Sequence, residues 1–468
     1  MIPSVLLTLL GLQLLAGPGV DDFKLEAELT LQSFLAAVDA NHPKLKGAEA
    51  LRSVAAAKRL EKSGAFDPVL NFGSDFIRYN STTTRGKQRE TAGNELSLDF
   101  VTRSGLKFYG GVRLNLGTVK SPLSSTGDTG EYFLGVKLPL LRNAGINEKA
   151  AAERQAFLGE DIAEAEFYEL RRNLLMKAAM AYWEWVGAAR RLDLARRMLE
   201  LARVRAEAVR ERALAGDLPI IDSVEAEQEV QRRLGAQIKA ERDLQKAAFK
   251  LGEYLWDSNG NPAALPSENT VPRRMDSPRA ISFDEQVLAR SRAIMRRPEL
   301  RIISLNRKVL EIDRDLARNQ VRPAVDFSFS PGIDTGLGSI GNTLKAGLDF
   351  SFTFRQRAAE GRIGQAEYKM RKLDFEDAET RRRISLEVDD AVSAVNTGVE
   401  RYKVALRELD LAIRLEEGER EKFLLGDSTI FLVNQRERSR AEAEIKLIDV
   451  YIEYQIGMAA YKAATNDY

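Results

Sequence analysis

The sequence predicts a mainly α-helical fold with a β-barrel part, assembled by duplication from long coiled-coil hairpins with strands set between the helices. Three observations predict it. The chain repeats itself: His42-Pro43-Lys44-Leu45 and Asp67-Pro68-Val69-Leu70 are answered 255 residues later by Arg297-Pro298-Glu299-Leu300 and Arg322-Pro323-Ala324-Val325. Gly216-Asp217-Leu218-Pro219-Ile220 is likewise answered by Gly426-Asp427-Ser428-Thr429-Ile430, at an offset of 210. Two proline-poor segments carry a helical seam, and the stretches between the proline frames and those segments alternate apolar with polar residues. Self-similarity on this scale marks one architecture used twice. The offsets differ by 45 residues (255 against 210), so the first half carries that much extra chain between Pro68 and its long helix.

Element by element, the N-terminus comes first. An unbroken apolar run from Val5 to Ala16 precedes Gly17-Pro18-Gly19. It is too short to span a bilayer and has the length of a signal-peptide core, although no Lys or Arg precedes Val5. Residues 1–19 are therefore expected to be an export signal, and the lack of a Cys after Leu15-Ala16-Gly17 excludes a lipid anchor there. Short helices are expected over 43–65 and 298–321, each about 24 residues long. The long helices come next. Ala178, Ala181, Trp185, Ala188, Leu192, Ala195, Leu199, Ala202, Ala206, Val209 and Ala213 are spaced alternately three and four apart, the period of a left-handed coiled coil. Val388, Ala391, Val395, Gly398, Tyr402, Ala405, Leu409 and Ala412 repeat the pattern. Each segment is roughly 70 residues, or about 105 Å of helix. Both stop at a glycine, Gly216 and Gly426, and returning helices are expected over about 219–256 and 429–465. The proline-rich stretch 257–281 links a first repeat, 20–256, to a second, 282–468.

Strands are expected within 68–141 and 323–355. In the first half the candidates are Val69 to Tyr79, Glu95 to Arg103, Leu106 to Asn115 and Tyr132 to Leu140, with Ser104-Gly105 as a two-residue turn. In the second half Val325, Phe327 and Phe329 form one run, and Leu348, Phe350, Phe352 and Phe354 another, with a Gly-rich loop from Pro331 to Gly341 between them. A half-buried sandwich strand has the same period. Four to six strands cannot close a membrane barrel, for which eight is about the minimum, and open edges in lipid cost several kcal/mol per unpaired group. More than one chain must then contribute. The hairpin around Ser104-Gly105 either enlarges that barrel or stands outside it.

Composition removes several functions. Lys plus Arg number 70 against 69 Asp plus Glu, which leaves no net field for nucleic acid. Cysteine is absent and His42 is the one histidine, which excludes thiol chemistry and zinc sites of the usual kind; beside Pro43, His42 reads as a helix-boundary residue. Gly336-Leu337-Gly338-Ser339-Ile340-Gly341 spells a dinucleotide loop but precedes a strand pattern, whereas such a loop must open a helix. Arg381-Arg382-Arg383 follows Glu376, Asp377 and Glu379 and reads as a solvated face. No nucleophile, base and orienting group recur together, so no catalytic residue, cofactor site or metal site is expected and the chain is not expected to be an enzyme.

The order of these features resembles the TolC-like outer-membrane factor family, the exit ducts of tripartite efflux pumps and type I secretion systems. The resemblance rests on the His42-Pro43 and Arg297-Pro298 frames, Leu138-Pro139-Leu140-Leu141-Arg142 after the last strand, and Gly216-Asp217 and Gly426-Asp427 at the helix turns. It implies a homotrimer: a periplasmic α-barrel of duplicated helical hairpins, topped by a shared trimeric transmembrane β-barrel in the outer membrane of a Gram-negative-type bacterium. It implies outer-membrane lipid, a periplasmic adaptor and an inner-membrane pump as partners, with the adaptor docking at Gly216, Asp217, Leu218, Gly426, Asp427 and Ser428. In the family the residue six after the tip glycine is often acidic and narrows the closed entrance. Here that position is Asp222 in one half and Leu432 in the other, and Gln435 stands where a further acid can occur. A more apolar constriction at Asp222, Leu432 and Gln435 is the resulting expectation; Asp222 is equally explained as a carboxylate favoured by the dipole of a helix start. A periplasmic coiled-coil scaffold or adhesin with a soluble β module is the competing reading.

Overall fold

The structure, a computed structural model, describes residues 28–80, 88–117, 119, 125–272, 276–336 and 339–468. The expected signal at 1–19 lies outside them. In chain order the elements are α1 (Leu31–Asn41), α2 (Pro43–Ser63), β1 (Val69–Asn80), β2 (Gln88–Val101), β3 (Lys107–Gly117), β4 (Gly130–Pro139), α3 (Glu148–Leu214) and α4 (Ile220–Gly252), then α5 (Phe283–Arg296), α6 (Pro298–Gln320), β5 (Ala324–Gly336), β6 (Ser339–Ser351), α7 (Arg357–Leu425) and α8 (Ile430–Thr465).

The two long helices have 67 and 69 residues, close to the length their seams predict. Two helices were not anticipated: α1 and α5 precede the proline frames. A capping box starts α5, where Ser282 accepts from the Glu285 amide and the Glu285 side chain accepts from the Ser282 amide. His42 is the C-cap of α1, its amide bonded to Val38 O at 3.0 Å, and Arg297 is the C-cap of α5.

The chain divides into two compact units, each drawing on both halves of the duplication. The first comprises residues 28–43, 175–280 and 394–459 of the described chain. Its interior is aromatic: Trp185, Tyr182, Tyr451 and Phe34 are almost fully buried, Phe34 stacks on Tyr182, and the Tyr182 hydroxyl donates to Leu29 O at 2.7 Å. The segment between α4 and α5 lies against α3 here, with Glu268 accepting from Arg196 at 2.8 Å.

The second unit comprises residues 44–174, 281–393 and 460–468, and contains all six strands. They form one antiparallel sheet in sequence order, β1 to β6. The hairpin β2–β3, which the sequence left open, sits inside this sheet between β1 and β4. Two expectations need correction. The Gly-rich stretch from Pro331 is strand as far as Gly336, and β6 begins at Ser339, so the expected loop is mostly ladder. Pro331 is accommodated because the β4–β5 pairing lapses between Phe133–Gly332 and Val136–Phe329, where a missing N–H costs no bond. Phe352 and Phe354 follow the end of β6 rather than continuing it; Phe354 is 94% exposed.

Candidate functional site: sheet faces and helix turns

Strand register assigns every sheet residue to a face, because cross-strand partners point the same way and neighbours along a strand point oppositely. Leu70 pairs Leu98, Phe72 pairs Leu96, Phe100 pairs Phe108, Val112 pairs Tyr132, Val136 pairs Phe329, Leu138 pairs Phe327 and Phe350 pairs Val325. This apolar face runs across all six strands. It is also the exposed one: Phe72 is 72% exposed, and Leu134, Leu344, Leu348 and Phe350 are about as open.

The opposite face is mainly polar and is buried along its middle strands, while Asp75 and Asp349 at its edges are exposed. Glu131 is 2% exposed, and Thr91, Asn115, Ser97 and Ser330 are buried beside it. Ion pairs cross the strands on this face: Lys107 to Asp99 at 2.9 Å, Arg113 to Glu95 at 3.1 Å and to Glu131 at 3.5 Å, and Lys137 to Asp326 at 3.2 Å. Thr343 donates to Glu131 at 2.6 Å, and Arg113 lies over the Phe133 ring at 4.5 Å. A sheet folded for water hides its apolar face and wets its polar one. This sheet exposes its apolar face and buries the middle of its polar one, which matches a barrel wall with lipid outside and a polar interior.

The helix turns are built identically in both halves. Gly216 and Gly426 have φ of +87° and +85°, the left-handed conformation that closes a helix. The Gly216 amide donates to Ala213 O and the Asp217 amide to Arg212 O, at 3.2 and 2.9 Å; Gly426 to Phe423 O and Asp427 to Lys422 O have the same lengths. Leu218 and Phe423 pack against the cluster of Val209, Ala226 and Ile430, which therefore joins the two turns. Ser428 donates to Glu419 at 2.6 Å. Asp217 and Asp427 are exposed, as are Leu214, Ile220, Leu424, Leu425 and Phe431, so each turn presents apolar and acidic groups together. Asp222 lies in the first turn of α4 and is partly buried; Leu432, 38% exposed, and Gln435 are open to solvent on α8. These three lie outside the cluster that holds Leu218.

Sequence reasoning missed the ionic layer behind the turns. Glu416 and Glu419 of α7 occupy the seam positions held by Ala206 and Val209 in the first half, 210 residues earlier; Arg436 and Arg440 of α8 stand where α4 has Ala226 and Val230. In the first half these positions are apolar clusters. In the second they are ion pairs, Arg440 to Glu416 at 2.8 Å and Arg436 to Glu419 at 3.7 Å. Arg205 pairs with Glu437 and donates to Asn434 at 2.8 Å, and Arg438 reaches the buried Glu229 at 2.7 Å. The signal was present in the register, since Glu416 falls four residues after Ala412 on the same seam.

Among the described residues no group of three or more His, Cys, Asp or Glu side chains is arranged to hold a metal ion, and no helix is long and apolar enough to cross a membrane. Gly336 pairs with Ser339 as a strand hairpin at the glycine-rich spelling, whose residues 337–338 lie outside the described ones.

Neither a protein-family model nor a curated protein matches this sequence. Solved structures do. The outer membrane protein VceC of Vibrio cholerae is 14% identical, with a TM-score of 0.65 over 93% of this chain and 95% of its own. The open state of the Neisseria gonorrhoeae MtrE outer membrane channel is 15% identical, TM-score 0.64, over 93% and 88%. The Campylobacter jejuni CmeC outer membrane channel is 14% identical, TM-score 0.64, over 93% and 85%. The likeness extends over nearly the whole described chain, and the fold is that of the TolC-like outer-membrane channels: mainly helical, with long paired helices and an antiparallel sheet left open within one chain.

Proposed function

We propose that this chain is one subunit of a passive outer-membrane exit duct, a homotrimer whose strands close a shared barrel in lipid and whose helices form a tunnel through the periplasm. The observation that carries this reading is the inverted sheet, with Phe72, Leu134, Leu344 and Phe350 exposed while Glu131 is buried. A soluble β module of a scaffold or adhesin would leave that apolar band against water, at about 25 cal/mol per Å². The fold shared with outer-membrane channels supports the same reading. After export directed by residues 1–19, the two repeats and their 257–281 linker assemble as one wall segment. The turns at Gly216, Asp217, Leu218, Gly426, Asp427 and Ser428 receive a periplasmic adaptor, which couples the duct to an inner-membrane pump of an efflux or type I secretion system. Asp222, Leu432 and Gln435 narrow the entrance. Energy comes from the partners, and the duct carries out no chemistry.

Fractionation and heat-modifiable migration in detergent test the whole reading. Recovery with outer membranes, in an oligomer whose mobility changes on boiling, is the expected result; a soluble monomer refutes it. Conductance in planar bilayers before and after Leu432→Asp tests the constriction. An added carboxylate ring should raise cation preference and closed-state conductance, and unchanged conductance removes Leu432 from the entrance.

A further inference from the structure

We propose that the hairpin β2–β3 is a wall element of the closed barrel, so that every copy supplies six strands and a three-copy duct has 18. The inference rests on the duct reading and adds the size of its outer pore. Three observations carry it. The hairpin is central, since β2 and β3 separate β1 from β4 and the wall has no continuous ladder without them. Both faces continue through it: Leu96, Leu98, Phe100, Val112 and Leu116 extend the apolar band, while Arg113 of β3 binds Glu95 of β2 and Glu131 of β4 on the polar side.

Its turn is also anchored to the start of α3. Arg103 forms two hydrogen bonds with Glu153, at 2.6 and 2.5 Å, Asn147 donates to Arg103 O at 3.1 Å, and the Gly145 amide donates to Ser104 O at 3.2 Å. Gly105, at φ +95°, leaves no room for a side chain, because a Cβ there would lie 2.5 Å from Asn143 O. An appendage outside the wall would need none of these links.

Closure follows from parity. With six antiparallel strands the edges β1 and β6 run in opposite directions, so β6 of one copy meets β1 of the next as an antiparallel neighbour. The edges have 12 and 13 residues, matched in length. The occupant of each open edge is therefore a second copy of this chain. At a strand spacing of about 4.8 Å and a tilt of about 40°, 18 strands give a backbone diameter of about 36 Å, against about 24 Å for 12. Walls of that strand number surround an aqueous channel.

The chain has no cysteine, so engineered pairs report cleanly. In native outer membranes, mild oxidation of S74C/N94C and of V112C/Y132C should join β1 to β2 and β3 to β4 within a chain, as those positions are register partners. Phe72→Cys combined with Leu344→Cys or Leu348→Cys should give a covalent ladder ending at three copies. Bonding of S74C/Y132C, which needs β1 beside β4, overturns the proposal while leaving the duct intact. So does a ladder ending at two copies, or none with either β6 partner. Absence of the protein from outer membranes instead overturns the duct reading itself. Deletion of 88–117 adds a pore measurement: the cross-section open to polymers entering from the outer side should fall about twofold, and an unchanged cutoff counts against the wall role. Should that variant fail to fold, the cysteine pairs decide.

Discussion

The ionic layer in the α7/α8 hairpin yields a sharp prediction, because the other half of the molecule shows what an apolar layer looks like in its place. The perturbation is Glu416→Ala with Arg440→Val, which installs the residues found at 206 and 230 in the first half. The Glu416 side chain is 3% exposed and that of Arg440 29%, so the carboxylate carries most of the desolvation cost. Buried Nε of Arg440 also lacks a partner. Removing one member of a buried pair costs about 3–5 kcal/mol, whereas replacing both by apolar groups is often neutral or stabilising. Arg440→Val alone leaves Glu416 buried and is expected near 3 kcal/mol of destabilisation, roughly the lower end of that range. Glu416→Ala alone should cost less, about 1 kcal/mol, because Arg440 can turn to water. The double variant should fall within about 1 kcal/mol of wild type, giving a coupling of about 3 kcal/mol. Denaturant midpoints of the helical circular dichroism signal, at one protein concentration in one detergent, measure all four corners of the cycle. A double variant as unstable as Arg440→Val alone would show that the layer is not a replaceable ion pair.

Acid should weaken the second unit through Glu299. Burial alone would raise its pKa, but hydrogen bonds from Arg297 and Arg172, at 2.8 and 2.9 Å, outweigh that and lower it from 4.5 to about 2. Because the folded value is the lower one, the stabilisation, on the order of 3 kcal/mol, is present above pH 4.5 and is lost as pH falls toward 2. Glu299→Gln should flatten stability against pH across that window, and an unchanged slope speaks against the triad. Gly105→Ala should destabilise by about 1–3 kcal/mol through backbone strain and the Asn143 contact; a thermal midpoint equal to wild type would contradict the turn geometry.

Legibility followed the range of the physics. Helix length, turn position and strand period are local properties. Gly216 and Gly426 therefore marked their turns from sequence, and the 3.5-residue seam gave the long helices to within a few residues. Strand neighbours are not local. Ser104-Gly105 identified a hairpin, but only cross-strand partners such as Leu96 with Val112 show that it lies inside the sheet. Charges misled for a related reason. Arg and Glu spaced along a helix look solvated until register is considered, and Glu416 is buried because heptad position, not polarity, decides which side chain faces the seam. Pro331 misled in the opposite sense, since a proline is tolerated within a sheet where the ladder already lapses.

The two halves differ at two places in their shared plan, and the physics of each difference is distinct. The longer first half includes the hairpin β2–β3, which has its own apolar face, its own polar face and a turn fastened by Arg103 to Glu153. β2 pairs with β1 over Gln88–Asp99 and β3 with β4 over Lys107–Arg113, so a sheet can be widened by two strands with a ladder kept on both sides. In the second half four seam positions are charged where the first half is apolar, with Glu416, Glu419, Arg436 and Arg440 paired across α7 and α8. An apolar seam tolerates sliding and rotation with graded loss of contact. An ion pair whose carboxylate is buried in the seam holds full strength only over a narrow range of geometry, and loss of its partner strands a charge. The α7/α8 hairpin thus adds ion pairs to an apolar cluster that both turns share, at positions where the α3/α4 hairpin has apolar contacts alone. Arg440→Val should accordingly loosen the segment at Gly426 more than the segment at Gly216, an ordering that hydrogen exchange at the two turns can read directly.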